Sequence, residues 1–135
     1  MVIHLDTTFL VDAIREARRH EDGPARSWLA ENRHEKLALS VFVLAELLVG
    51  AELHAESDRE RRRVFQICGP LPVVAPDRRL ADTYASVHAG LLRQGTPLAT
   101  MDLLIGCTAL NEGAALLTAN RDHFNRIVGL RVLGY

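Results

Sequence analysis

The sequence predicts an α/β domain, a mainly parallel sheet of four or five strands flanked by helices. Three observations predict it. Short apolar runs alternate along the chain with longer stretches whose apolar residues recur at helical spacing, which is how strand–helix–strand units read. The joints between them carry turn and capping residues such as Asp6-Thr7-Thr8, Ser40, Gly95-Thr96-Pro97 and Gly113. The length of 135 residues, with 48% hydrophobic and 24% charged, suits one domain over residues 1–135 around one shared core.

Val2-Ile3-His4-Leu5 reads as the first strand, and Asp6-Thr7-Thr8 caps a helix that begins with Phe9, Leu10, Val11 and Ile14. A second helix starts at Gly23-Pro24, where proline fits the first helical position, and turns Trp28 and Leu29 inward. Leu37-Ala38-Leu39 is the next strand, followed by Ser40 as the cap of a helix from about Val41 to His54. Ser57-Asp58-Arg59-Glu60 matches the serine-x-x-glutamate capping box and predicts a helix over Asp58 to Cys68. Leu71 to Ala75 is a short strand. After Pro76, Leu80, Tyr84, Val87, Leu91 and Leu92 keep helical spacing up to Gly95. Thr100 is the expected cap of an apolar helix over Met101 to Glu112, stopped by Gly113. Ala115 to Thr118 forms a strand, Asn120 to Ile127 a loop and short helix, and Leu130 to Leu133 the last strand.

Composition excludes several classes. The apolar stretch Leu37 to Leu53 is broken by Ser40, Glu46, Gly50 and Glu52, so it falls short of the roughly 20 residues that span a bilayer. Met1 leads directly into the first strand without the pattern of a signal peptide, and a cytoplasmic location is expected. Cys68 and Cys107 are too few for a disulfide framework and too far apart for a zinc ribbon, and the six histidines form no ligand pair, which disfavours zinc. Net charge is −1, so there is no global attraction to a polyanion. Of the 16 basic residues all but Lys36 are arginine, whose planar fork suits phosphate, although a G/C-rich codon bias gives the same excess. The run Arg59, Arg61, Arg62, Arg63 reads as a solvated helix face.

Asp6, Glu46, Asp102 and the Asn120/Asp122 pair each sit where an apolar run gives way to a turn or helix. In open parallel sheets the active crevice lies outside the carboxyl ends of the strands, where strand order reverses. Carboxylates gathered there repel one another and either raise a pKa or recruit a cation. An oxygen-only set favours Mg²⁺, with Mn²⁺ as the alternative, and such an ion can activate water for phosphodiester hydrolysis. Asp6 and Asp102 are the expected metal ligands. Glu46 would hold a water or act as general base; a carboxylate flanked by Val43, Leu44, Ala45, Leu47 and Leu48 is costly to bury without a partner. Asn120 and Asp122 would orient the outer sphere, or Asp122 would complete the inner one. Arg93 and Arg121 flank the acidic blocks in sequence and are better candidates for substrate phosphate than the arginine run.

Four blocks in order carry a resemblance: Val2-Ile3-His4-Leu5-Asp6-Thr7-Thr8 with Leu10-Val11-Asp12; Ser40-Val41 with Leu44-Ala45-Glu46-Leu47 and Gly50-Ala51; Pro97 with Met101-Asp102-Leu103-Leu104-Ile105; and Leu117-Thr118-Ala119-Asn120 with Phe124. Together they resemble the PIN-domain ribonucleases, specifically the VapC toxins of toxin–antitoxin pairs. The resemblance implies a PIN-like three-layer fold, Mg²⁺-dependent endoribonuclease activity, homodimers and inhibition by a VapB-type antitoxin. It maps the three principal acids onto Asp6, Glu46 and Asp102. It implies that Thr7 supports Asp6 or a bound water. The sequence departs from the family pattern just before Phe124, where many relatives have an acid and this chain has His123, with Asp122 one step earlier. A catalytically silent PIN module that binds RNA or a partner protein is the rival reading. A phosphoacceptor signalling domain fits worse, because Asp6 is followed by Thr7 and no lysine follows Lys36.

Overall fold

The computed structural model describes residues 1–135. Five strands, β1 (Val2–Leu5), β2 (Lys36–Ser40), β3 (Val73–Val74), β4 (Ala115–Leu117) and β5 (Val132–Leu133), form one sheet in the order β3-β2-β1-β4-β5. Every pairing is parallel. Seven helices flank it: α1 (Thr7–Arg18), α2 (Pro24–Glu31), α3 (Val41–Leu53), α4 (Ser57–Cys68), α5 (Arg78–Gln94), α6 (Thr100–Asn111) and α7 (Arg121–Phe124). The expected α/β class with a parallel sheet is observed, with five strands.

Strand order explains composition. β1 lies in the middle, hydrogen-bonded on both edges, and Ile3, His4 and Leu5 are all buried. A central parallel strand covered on both faces needs such an unbroken buried run. The core joins Ile3 and Leu5 to Leu39, Leu116 and Leu117 of the neighbouring strands, with Phe9 and Leu10 from α1 and Leu103 and Ile105 from α6. α6 touches both β2 and β4, so it runs over the centre of the sheet, and α5 packs against it. Trp28 of α2 is partly buried edge-on to Phe9, at 5.7 Å between ring centroids.

Several local signals act as expected. The Ser40 hydroxyl accepts from the Val43 amide at 3.3 Å and caps α3. Gly95 ends α5 with φ +69°, a conformation in which a side chain would be strained. Cys68 and Cys107 are both buried free thiols, each pushed up to about 11 by burial.

Other signals fail. The capping box at Ser57 does not form: Glu56 occupies the cap position, Ser57 is already helical, and no side chain caps α4. Glu60 is instead buried and accepts from Arg18 of α1 and Arg63 of its own helix, both at 2.8 Å. Two guanidinium groups, one of them from another helix, hold this carboxylate in place of a backbone amide. Thr100 does not cap α6 either, since Ala99 holds that position. The strand expected over Leu71 to Ala75 is only Val73–Val74, β4 stops at Leu117, and the last strand shrinks to Val132–Leu133.

Candidate active site

Order reverses between β1 and β4, and Asp6 stands at the carboxyl end of β1 on that boundary. The register pairs Leu5 with Leu117, so the next residues along, Asp6 and Thr118, stand side by side. Cross-strand partners in a parallel sheet present their side chains to the same face. The Asp6 amide donates to the Leu117 carbonyl at 3.0 Å, which extends the ladder by one bond.

The Asp6 side chain is not an ordinary helix cap. Although Asp6 occupies the cap position of α1, its carboxylate takes no capping bond. Only 3% exposed, it accepts from the Thr118 hydroxyl at 2.6 Å and the Thr8 hydroxyl at 2.9 Å, both on Oδ2. Each threonine has one hydroxyl proton, so with both given to Asp6 the 3.3 Å approach between Thr8 and Thr118 is a contact rather than a further bond. The hydroxyl lone pairs are used as well: Thr8 accepts from the Ala119 amide at 3.0 Å and Thr118 from the Asn120 amide at 2.9 Å. This web ties the start of α1 to the chain leaving β4. Sequence reading missed both threonines, since a threonine at a strand end is also a common β-former; the register beside Asp6 is the signal that distinguishes Thr118.

Glu46 lies in the second turn of α3, half-buried. The Thr7 hydroxyl donates to its Oε1 at 2.6 Å. Thr7 therefore serves Glu46, and the expectation that it supports Asp6 is corrected: successive helical positions diverge, and Thr8 is the one that turns back to Asp6.

Asp102 is in the first turn of α6 with a side chain 29% exposed. Burial and the negative charge of Asp6 hold its carboxyl above the usual range, and His123 works against that rise. Buried Asp6 and partly buried Asp102 thus lie within electrostatic reach of each other, and both offer only oxygen. That donor set fits Mg²⁺ or Mn²⁺, which bind through one or two carboxylates and keep several waters. No three His, Cys, Asp or Glu side chains stand close enough together to cage an ion by themselves.

The remaining candidates fare differently. Asn120 is exposed ahead of α7 and makes no side-chain cap; its backbone carbonyl receives the His123 and Phe124 amides. Asp122 is exposed on α7 and is not the residue that meets Asp102. His123 is: its Nδ1 lies 3.7 Å from Asp102 Oδ2. Arg121 lines a cleft of about 540 Å³ with Asp12, Thr118, Ala119 and Tyr135, next to the threonine web. Arg93 is exposed in the last turn of α5, and no bond brings it to the acids. In the arginine run, Arg63 holds Glu60, Arg59 lies 3.3 Å from Glu56, and Arg61 stacks over Phe65 at 5.2 Å from the ring centroid.

The PIN domain family model matches residues 3–130. Over 97 residues, 72% of this chain and 74% of the relative, the chain is 31% identical to the tRNA(fMet)-specific endonuclease VapC of Salmonella typhimurium. It belongs to the VapC branch of the PIN-domain family. The VapC resemblance reaches nearly end to end in ribonuclease VapC2 of Rickettsia felis, 27% identical over 96% of this chain and 95% of that protein. Among solved structures, VapBC2 of Rickettsia felis bound to a promoter DNA fragment superposes at TM-score 0.86 with 27% identity, covering 100% of this chain and 99% of the other. DNA-bound VapBC of Salmonella typhimurium superposes at 0.87 with 28% identity, over 99% and 98%. The PIN-like architecture expected of a VapC chain is therefore present along its whole length.

Proposed function

We propose that this protein is the toxin of a toxin–antitoxin pair, an endoribonuclease that hydrolyses RNA phosphodiester bonds with a metal-activated water. The observation that carries the reading is buried Asp6 at the carboxyl end of β1, on the β1/β4 boundary, within electrostatic reach of Asp102, whose carboxyl is held above the usual range by burial and then by the Asp6 charge. Family membership supports the activity, since relatives in the same branch are named ribonucleases and endonucleases.

Asp6 and Asp102 would hold Mg²⁺, with Mn²⁺ as the alternative. Bound there, the ion would lower the pKa of a water and offset charge growing on the phosphoryl oxygens. Each protein group has a separate task. Thr8 and Thr118 fix one oxygen of Asp6, which leaves Oδ1 outside their bonds. Thr7 fixes Oε1 of Glu46 and leaves Oε2 to orient the attacking water and take its proton. Arg121, beside the threonine web, is the candidate to hold RNA phosphate in a bidentate grip. Neither Arg93 nor Asp122 has a comparable position, and the reading does not depend on them.

The proposed partners are an RNA substrate, a VapB-type antitoxin and a second copy of the chain in a homodimer. The antitoxin is supported by related toxins whose structures are VapBC complexes. No helix is long and apolar enough to cross a membrane. One observation favours a silent RNA- or protein-binding module instead: no three His, Cys, Asp or Glu side chains stand together as a metal cluster, and the α7 residue that meets Asp102 is His123 rather than Asp122.

Cleavage of a mixed RNA pool by the purified protein decides between them. The wild type should cut in Mg²⁺ and stop in chelator, and Asp6→Asn and Asp102→Asn should each lose at least 100-fold, the scale of one essential charge-stabilising group. RNA binding by a wild type that never cuts would select the silent module. Equal cutting by wild type and both variants would place the activity elsewhere.

A further inference from the structure

We propose that Arg121, seated on Gly134 and steadied by Tyr135, forms a subsite for the RNA phosphate next to the scissile one. The inference rests on the proposed RNA cleavage and adds which phosphate the arginine holds and what keeps it in place. The pairing register supplies the geometry. Leu5 pairs with Leu117 and Leu117 with Leu133. The Thr118 amide donates to the Leu133 carbonyl at 3.0 Å, just as the Asp6 amide does to Leu117. The next residues along, Asp6, Thr118 and Gly134, therefore fall in one row on one face of the sheet. Two strand spacings set the ends of that row about 10 Å apart. Arg121 covers the far end. A Cβ added to Gly134 would lie 3.0 Å from its Nε and 3.2 Å from both Cδ and Cζ, so the arginine rests on bare backbone. The three atoms nearest that Cβ all belong to Arg121, and Gly134 has no positive φ that would itself call for glycine. A cation at this distance from Asp6 meets a different phosphate from the one being cut.

Tyr135 fastens the seat. Its ring stands perpendicular to that of buried Phe9, at 4.8 Å between centroids, and its hydroxyl donates to Asp12 Oδ2 at 2.6 Å. Phe9 and Asp12 both belong to α1, so the chain leaving β5 is tied to the helix that starts beside Asp6. Asp12 would oppose a phosphate in the same cleft if its charge were bare. Its Oδ1 accepts from Arg15 and its Oδ2 from Tyr135, so both oxygens are engaged and a guanidinium offsets the charge. Arg121 is exposed and is the cation of the cleft, which Asp12, Thr118, Gly134 and Tyr135 also line. Its planar fork of N–H donors matches two phosphate oxygens at once.

The test is a double-mutant cycle of Arg121→Gln and Gly134→Val, with Tyr135→Ala and Tyr135→Phe beside it. Two quantities are read: steady-state cleavage of an RNA oligonucleotide that wild type cuts, and, in chelator, the salt dependence of binding that oligonucleotide with a fluorescent label. A contact made equally in ground and transition states raises KM and leaves kcat alone. Arg121→Gln should raise KM about tenfold with kcat little changed, the scale of one charge-assisted contact. It should also flatten the slope of log affinity against log salt by about 0.7, the share of one phosphate in a single strand. Gly134→Val should do the same by displacing the guanidinium, yet add nothing in the Arg121→Gln background. Tyr135→Ala should raise KM as well, and Tyr135→Phe, which keeps the ring, should recover most of it. A fall in kcat at constant KM for Arg121→Gln would put the guanidinium on the scissile phosphate and overturn the subsite. An unchanged salt slope in Arg121→Gln, or additive effects of Gly134→Val and Arg121→Gln, would overturn it too, and each of these results leaves the proposed function intact. Wild type that binds RNA with the expected slope but cuts none would overturn the proposed function and, with it, the place of this phosphate beside a scissile one.

Discussion

A buried carboxylate is stable only when donors meet it, and at Asp6 the donors are two hydroxyls one atom thick. Thr118→Val keeps the shape of the side chain and deletes the 2.6 Å bond to Oδ2. It also strips the Asn120 amide of its acceptor. A hydrogen bond to a charged group contributes about 1.5–3 kcal/mol, and urea unfolding of Thr118→Val should show a loss of that order. RNA cleavage should fall tenfold or more, because only the Thr8 hydroxyl is then left to orient the Asp6 carboxylate. Thr118→Ser, which restores the hydroxyl, should recover most of both. A valine variant as stable and active as wild type would mean that the threonine only packs. At this scale the sequence was uneven in what it disclosed. Asp6, Glu46 and Asp102 stood out because a carboxylate at a strand end or inside an apolar helix demands a partner. Thr8 and Thr118 did not, because hydroxyls are at home almost anywhere and only the pairing register singles one out.

Among the elements, β1 combines two demands. It must be apolar enough to lie at the centre of the sheet and must deliver Asp6 at its end, yet it carries His4, whose Nδ1 is buried without a partner. Burial lowers the His4 pKa, and the charge of Glu112 opposes that shift only in part. The sign follows directly: a histidine kept neutral by the fold imposes no penalty above its unfolded value near 6.5. As pH falls below that value the unfolded chain takes up a proton that the folded one resists, and stability declines until the folded pKa is passed. The urea midpoint of wild type should therefore drop between pH 7.5 and 5 more steeply than that of His4→Phe. Parallel pH profiles for the two would show that His4 is not the group responsible. Elements of this kind were legible from sequence where one local signal acted alone, as at Ser40 and Gly95. They were misread where a tertiary partner competed. Ser57 and Glu60 have the spacing of a capping box, but Arg18 of α1 claims Glu60, and nothing near Ser57 in sequence announces an arginine from another helix. The outer strands were overestimated because an apolar run continues past the point where a neighbouring strand remains to pair with it.

For the whole molecule, the strand order β3-β2-β1-β4-β5 puts the candidate site on the best-supported strand and leaves the edges to the two-residue strands β3 and β5. Amide exchange should report that gradient. β1 amides and the Asp6 amide, which donates to Leu117 at 3.0 Å, should exchange only through global unfolding and track denaturant as the slowest in the chain. Amides of α7 and of the β5 edge should exchange through smaller openings. A β1 amide exchanging as fast as those of β5 would refute this ordering. The parallel class and the crevice were readable from the alternation of runs and helices, whereas strand order had no local trace: pairing is decided by which apolar faces bury each other.

The central placement of Asp6 also limits how such a protein can be controlled. If β1 is the last part of the fold to open, Asp6 itself has no off position that the chain could visit while folded. If it cuts RNA as proposed, silencing it calls for an occluding partner in stoichiometric supply, one cover for each copy. Removing the cover would then release a finished enzyme, with no refolding delay between the loss of the inhibitor and the first cut.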